Sequence, residues 1–113
     1  MTSTVIANLQ KLVGTPRDGA LLRFSLGNEY LKLGDARSAE QQFAAAVARD
    51  PSYSAAWKLL GRARAEAGRA ADALAAWRQG IAVAEQKGDL QAAREMQVHA
   101  RRIERQLASG QAS

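Results

Sequence analysis

The apolar positions of this chain recur every three to four residues, which is the period of an amphipathic α-helix. The first segment with this pattern spans residues 3–13, and its apolar side chains are Val5, Ile6, Leu9, Leu12 and Val13. Ser3 is expected to cap this helix and Gly14 to end it. Later segments keep the same period, and none has the alternating, β-branched pattern of a strand. The pattern therefore predicts an all-α fold.

Short breaks rich in Gly, Asp and Pro divide the chain. The first is the loop GTPRDG at residues 14–19, which holds two glycines and a proline and stops any helix. The later breaks lie at Gly34-Asp35, Asp50-Pro51, Gly68-Arg69 and Gly88-Asp89. The helical segments between them are joined by turns short enough to make antiparallel neighbours. We therefore expect antiparallel helix-turn-helix units in a short solenoid of about five helices.

The segments repeat at a period of 34 residues. Four pairs of similar residues are separated by this interval: Leu26 and Leu60, Gly27 and Gly61, Ala39 and Ala73, and Phe43 and Trp77. Glycine inside a helix costs up to about 1 kcal/mol relative to alanine, so its presence twice at one register needs a reason. We expect a neighbouring helix to approach closely at each glycine. The aromatic residues are expected to fill the gaps between helix pairs.

These pairs resemble the signature of the tetratricopeptide repeat, a helix-turn-helix unit of about 34 residues. The first copy also matches the signature at Tyr30 and Pro51, and it has Arg23 where Trp is usual. The second copy matches at Trp57 and departs from the signature at Arg64, Trp77 and Glu85, where Tyr, Phe and Pro are usual. Two copies in register identify the chain as similar to a small two-repeat protein of this family.

The resemblance implies a division of the chain into five parts. These are an N-terminal helix and loop at 1–19, repeats at 20–53 and 54–87, a capping helix at 88–108 with Asp89 as its cap, and a disordered tail at 109–113. Because stacks of this kind usually need three or more repeats, the terminal helices are expected to cover the open ends. Two other interpretations of the N-terminal helix remain open, namely that it lies across the binding groove or that it forms a self-association surface.

Composition narrows the function. The 113 residues include no Cys and one His, His99, and they show no metal-ligand cluster, phosphate loop or nucleophile with a base. We therefore expect no enzyme activity, no cofactor and no bound metal. The chain has no apolar run of about 20 residues and no secretory leader, which favours a cytoplasmic location and no membrane partner.

The net charge of +5 suits an anionic partner. The aromatic residues are few and the basic residues are spread out, so we do not expect nucleic acid to be the partner, and a solvated surface is the preferred interpretation. Electrostatic binding of nucleic acid through Arg101, Arg102 and Arg105 is retained as an alternative, as is a self-associating structural module. The oligomeric state is left open.

The resemblance also implies a peptide-binding groove lined by the first helix of each repeat. The implied lining is Leu21, Phe24 and Asn28 from the first repeat, Ala55, Lys58 and Arg62 from the second, and Ala92, Met96 and His99 from the last helix. Lys58 and Arg62 are one turn apart and suit a carboxylate. The hypothesis is an adaptor that takes an acidic or C-terminal segment beside an apolar anchor near Phe24. The alternative is that Lys58 and Arg62 are solvated and that the N-terminal helix covers Phe24.

Overall fold

The computed structural model of the chain describes the backbone of residues 3–112 and the side chains of residues 3–110. Within these residues the chain forms six α-helices and no strand, which confirms the all-α prediction. The helices are α1 (Thr4–Gln10), α2 (Ala20–Lys32), α3 (Ala36–Arg49), α4 (Ser54–Glu66), α5 (Ala70–Lys87) and α6 (Leu90–Ala112).

The last helix continues past residue 108, where the sequence predicted its end and the start of a tail at 109–113. No proline follows the expected end, and Gly110 keeps a helical backbone instead of a positive φ, so nothing stops the helix there. Residue 113, the last of the expected tail, lies outside the described residues, as do residues 1 and 2 of the N-terminal part.

The helix ends follow the local sequence. The side chains of Ser3, Asp35 and Asp89 each accept a hydrogen bond from the backbone N–H three residues later, at 3.4, 3.1 and 3.2 Å. Such bonds satisfy N–H groups that have no partner within the helix. Gly34 and Gly68 follow α2 and α4 with φ values of +77° and +81°, a conformation that favours glycine. The caps predicted at Ser3 and Asp89 are therefore confirmed.

Each repeat packs an aromatic ring of its second helix on a glycine of its first. A Cβ atom added at Gly27 of α2 would lie 2.5 Å from Cε1 of Phe43 in α3. A Cβ atom added at Gly61 of α4 would lie 2.5 Å from Cε2 of Trp77 in α5. Only glycine allows these helices to approach so closely, as the sequence predicted. Phe43 also shares a buried cluster with Leu60 of α4, so its ring contributes to packing between the repeats.

The N-terminal helix covers one end of the stack. Ile6 of α1 is buried in a cluster with Leu22 and Leu26 of α2. At 100° per residue, this face of α2 is opposite to the face that carries Leu21 and Phe24. Of the three interpretations of this helix, its position matches that of an end cap, and it does not cross the predicted groove face.

Two arginines replace signature aromatic residues, and each forms an ion pair that connects separate parts of the fold. Arg23 of α2 lies 2.9 Å from Asp18 in the preceding loop, and this hydrogen bond holds the pKa of Asp18 well below its usual range. Arg64 of α4 lies 2.9 Å from Glu40 of α3. Charged pairing thus takes the place of aromatic packing at both positions without disturbing the helix arrangement.

The stack is thin, with principal extents of 46 × 35 × 18 Å. The short dimension fits two layers of helices, since packed helix axes lie about 8–10 Å apart. Sequential helices from α1 to α6 pack on one another, and α4 also contacts α6 across α5. This contact positions the candidate site. Among the described residues, no helix is both long and apolar enough to cross a membrane.

Candidate functional site

A groove of about 570 Å³ lies between α4 and α6, and Trp77 of α5 lines it as well. We call it the α4–α6 groove. It is lined by three cations, Lys58, Arg62 and Arg102; two carboxylates, Glu66 and Glu95; the apolar residues Leu59, Ala65, Trp77 and Ile103; and the neutral residues His99 and Gln106. The α4 and α6 members recur every three to four residues, so each helix contributes a single face.

The charged residues of the groove are paired in different ways. Lys58 Nζ lies 2.8 Å from Glu95 Oε2 and joins α4 to α6. Arg62 Nε lies 3.4 Å from Glu66 Oε1 within α4. Arg102 forms no ion pair with any residue whose side chain is described. The groove therefore has one more cation than carboxylate, and the guanidinium groups of Arg62 and Arg102 are open to solvent.

Hydrogen bonding and charge keep the cross-groove pair ionised. The hydrogen bond from Lys58, followed by its charge, lowers the pKa of Glu95 below its usual range. Gln91 adds a weaker hydrogen bond, with its Nε2 at 3.3 Å from Glu95 Oε1. At neutral pH Glu95 is therefore a carboxylate with two hydrogen-bond donors, one on α4 and one on its own helix.

Trp77 forms the floor of the groove and connects all three helices. Its side chain is almost fully buried, and its Nε1–H donates a hydrogen bond to the backbone oxygen of Lys58 at 3.0 Å. Its ring stacks on His99 of α6 with centroids 5.3 Å apart and planes inclined by 25°. The floor is thus held by a hydrogen bond on one side and a ring contact on the other.

His99 is half-buried and uncharged at neutral pH. Burial lowers the pKa of its imidazole, and the charges of Arg102 and Lys58 lower it further, whereas Glu95 acts in the opposite direction. A neutral imidazole offers one donor and one acceptor nitrogen. The residue can therefore form hydrogen bonds in the groove without adding to its positive charge.

The structure brings together some of the residues predicted for the groove. Lys58 and Arg62 lie on its α4 side and His99 on its α6 side. Ala55 and Ala92 are not among the lining residues. Lys58 and Arg62 therefore share one face of α4, and His99 of α6 lies across the groove from them.

The α2 residues predicted for the same site do not line it. Leu21 is 69% exposed and Asn28 is half-buried, both on α2. Phe24 stacks on Tyr53 at 4.9 Å between ring centroids and meets Phe43 edge-on at 5.7 Å. Phe24 is therefore part of the aromatic packing, covered by Tyr53 and not by the N-terminal helix. The residue is half-buried and does not border the α4–α6 groove.

Met96 is also placed differently from the prediction. Its side chain is fully buried, and it packs against Gly80 of α5, where a Cβ atom would lie 2.7 Å from Cβ of Trp57 and 2.5 Å from Met96 Sδ. Met96 therefore belongs to the core beneath the groove and is not a lining residue. The reason is the rotation of α6, which turns Glu95 and His99 toward α4 and Met96 toward α5.

Sequence reasoning did not identify Trp77, Glu95 and Arg102 as groove residues. Trp77 occupies a signature packing position and is expected in the core. For the others a signal was present, because polar residues recur along one face of the last helix at Glu95, His99, Arg102 and Gln106. Within the described residues, no three His, Asp or Glu side chains are grouped closely enough to hold a metal ion.

Comparisons with known proteins agree with this architecture. The profile of the tetratricopeptide repeat matches residues 24–84, which is more than half of the chain. A TPR repeat-containing protein of Pseudomonas aeruginosa is 48% identical over 101 residues, which cover 89% of this chain and 96% of the relative.

Solved structures show the same fold. The solution structure of a protein from Bordetella parapertussis superposes with a TM-score of 0.78 at 36% identity and covers 93% of this chain and 91% of its own. The crystal structure of a tetratricopeptide repeat domain protein from Salinibacter ruber superposes with a TM-score of 0.71 at 30% identity and covers 77% of this chain and 97% of its own. With the repeated glycine and aromatic contacts, these matches show that the chain belongs to the tetratricopeptide repeat family.

Proposed function

We propose that this chain is an adaptor whose α4–α6 groove binds a short acidic segment of a partner protein. The tetratricopeptide repeat fold generally mediates protein–protein interactions, and its members are generally non-enzymatic scaffolds. The observation that carries the proposal is that the rim and the floor of the groove differ in character. The exposed cations Arg62 and Arg102 lie at the rim, and the apolar residues Trp77 and Ile103 form the floor. Such a groove suits a carboxylate next to an apolar side chain.

The charge of the groove favours a carboxylate over a neutral ligand. Arg62 and Arg102 can each form bidentate hydrogen bonds with a carboxylate, and Arg102 has no described ion-pair partner to give up. Glu95 supports the same choice of ligand, because its carboxylate already lies against Lys58 inside the groove. We therefore propose that the acidic segment binds to the second repeat and α6, and not beside Leu21 and Phe24.

The test uses two sets of short dye-labelled peptides. The acidic set places Glu or Asp at varied distances from one Leu or Phe and has free C-termini, whereas the amide set has Gln or Asn and amidated C-termini. We expect the wild-type protein to prefer the acidic set in fluorescence anisotropy. The double variant Arg62→Glu, Arg102→Glu should lose about tenfold or more in affinity, since each rim cation becomes a repelling carboxylate.

The matched control is the double variant Arg17→Glu, Arg37→Glu. Both residues are exposed outside the groove and have no ion-pair partner among the described side chains, and the change in net charge is the same. We expect this control to bind the acidic set nearly as well as the wild-type protein. Equal losses in the two double variants would mean that only net charge matters, and the groove proposal would then be wrong.

A second candidate function is electrostatic binding of nucleic acid along α6. The observation in its favour is that the two carboxylates of α6, Glu95 and Glu104, pair with cations of α4 and α5, whereas Arg94, Arg101 and Arg105 are exposed. An oligonucleotide added to the same assay separates the two functions. Binding that weakens steeply with salt and disappears in Arg101→Glu, Arg105→Glu while surviving the groove substitutions would favour nucleic acid.

A further inference from the structure

The Lys58–Glu95 pair differs from the other ion pairs near the groove because it crosses the space that a ligand would enter. Lys58 extends from α4 and Glu95 from α6, and both residues line the groove. The backbone of Lys58 is held by the hydrogen bond from Trp77, so the side chain alone has to move for the pair to open. The carboxylate of Glu95 thus occupies one cationic position of the groove in the protein as it stands.

Exposure indicates that this pair can exchange with an external carboxylate. The side chains of Lys58 and Glu95 are 32% and 41% exposed, whereas those of Arg23 and Asp18, which hold the loop before α2, are 16% and 9% exposed. Ion pairs that are open to water contribute little to stability, because water and salt screen them. Opening the Lys58–Glu95 pair is therefore expected to cost much less than opening the buried one.

Glu95 also keeps a partner when Lys58 leaves. Gln91, one turn earlier on α6, donates a hydrogen bond to the Oε1 atom, whereas Lys58 binds Oε2. The carboxylate would remain hydrogen-bonded and solvated after the exchange, so no buried charge is left without a partner. The arrangement therefore allows Lys58 to change partners without disturbing the packing of α6.

We infer that Glu95 is an internal competitor for Lys58, and that the partner segment must bring a carboxylate of its own to displace it. This inference rests on the proposed function of the α4–α6 groove. It makes Glu95 a residue that lowers affinity and raises specificity, because a neutral peptide has nothing to offer Lys58 in exchange. The partner is accordingly a segment with at least two carboxylates, one for Lys58 and one for the rim arginines.

The test is the substitution Glu95→Gln, which removes the internal carboxylate and nearly preserves the size of the side chain. We expect the acidic peptide set to bind about three- to fivefold more tightly to this variant, and the amide set to bind no better. The matched control is Glu104→Gln. Glu104 lies on the same helix and pairs with Arg78 at 3.0 Å outside the groove, at similar exposure. This control has the same charge change and should bind as the wild-type protein does.

A second substitution shows whether Lys58 is the residue that is released. Lys58→Gln should weaken binding of the acidic set, and adding Glu95→Gln to it should give no further change, because the contested cation is gone. An additional gain in the double variant would mean that Glu95 acts by general repulsion, which would overturn the inference. Far-UV circular dichroism of each variant verifies that the helices are retained.

The outcomes separate this inference from the proposed function. If the wild-type protein prefers the acidic set and Glu95→Gln binds no better than Glu104→Gln, the competitor role is wrong and the groove proposal stands. If neither the wild-type protein nor Glu95→Gln prefers the acidic set, the groove proposal fails and the competitor role fails with it. Binding by Glu95→Gln but not by the wild-type protein would be the strongest support for competition.

Discussion

The equivalent aromatic position has a different role in each of the two repeats of this protein. In the first repeat Phe43 lies on Gly27, is fully buried and meets Phe24 edge-on. In the second repeat Trp77 lies on Gly61, but its ring continues to the groove and stacks on His99. The larger ring fills the same gap and also borders the groove, although the residue is only 4% exposed. One repeat position therefore closes the core in the first copy and forms the groove floor in the second.

The neighbouring element explains the difference. At the end of the first repeat, Tyr53 directly precedes α4 and stacks on Phe24, so aromatic rings cover this part of the α2 face. Next to the second repeat, α6 presents a face of polar residues, so a groove remains open above Trp77. A duplicated unit can thus be structural in one copy and suited to binding in the other, depending on which residues the next helix brings.

The largest expected effect comes from removing the two aromatic rings. Phe43→Ala and Trp77→Ala should each lower the free energy of unfolding by about 3–5 kcal/mol, because each leaves a large cavity between packed helices. Urea denaturation followed by circular dichroism measures the loss. Similar losses would confirm that both rings are core residues, whereas a loss below about 1 kcal/mol at either position would contradict this role.

Milder substitutions should distinguish the two rings. Trp77→Phe removes the hydrogen bond to Lys58 and should shift the NMR signals of His99, since the stacked ring changes. Phe43→Leu should leave those signals unchanged. A shift of similar size in both variants would mean that Phe43 also affects the surroundings of His99. The two rings would then not act independently.

An intermediate effect is expected from filling the two glycine positions. Gly27→Ala and Gly61→Ala should each destabilise the fold by about 1–3 kcal/mol, because the new Cβ atom meets a buried ring that has little room to move. The higher helix propensity of alanine offsets up to about 1 kcal/mol of this. Gly110→Ala in α6 is the matched control, since its Cβ atom would meet no heavy atom within 4 Å.

The glycine variants also test whether only the second repeat contributes to peptide binding. Gly61→Ala should displace Trp77 and so weaken binding of the acidic peptides, whereas Gly27→Ala should reduce stability only. Thermal melts and anisotropy on the same samples measure both quantities. If all three alanine variants, including the Gly110→Ala control, are as stable as the wild-type protein, the close approach of the helices is not what selects glycine.

The smallest expected effect concerns the pKa of His99. Burial against Trp77, followed by the charges of Arg102 and Lys58, should hold this pKa below the usual value of about 6.5. The folded protein then binds the proton less readily than the unfolded chain. The resulting contribution to stability is complete above about pH 6.5 and is lost as the pH falls through the folded value.

An NMR titration reads this pKa directly, because the chain has one histidine. Arg102→Gln should raise the value toward 6.5, whereas Arg94→Gln, on the exposed side of the same helix, should leave it nearly unchanged. Phe43→Leu in the first repeat should also have no effect. A measured pKa at or above 6.5 in the wild-type protein would contradict the burial of His99 on the groove floor.

Local sequence is enough to predict which segments are helical, where most breaks between them fall and that the helices repeat, but it did not predict the last residues of α1 and α6. Amphipathic period, capping side chains and glycine turns depend on residues within a few positions of one another, so Asp35 and Asp89 can be recognised as caps without a structure. The glycine and aromatic pairs were also visible, because the duplication shows each of them twice. The same local spacing placed Lys58 and Arg62 on one face of α4.

The residues that meet across helices became apparent only from the three-dimensional arrangement of the helices. A rotation of α6 by one residue position would exchange Glu95 for Met96 in the groove, and the sequence alone did not resolve this choice. The stacking of Tyr53 on Phe24 was likewise not apparent from the sequence. The physical reason is that such contacts depend on the relative rotation and distance of whole helices, which the summed packing of many side chains sets and no short stretch of sequence encodes.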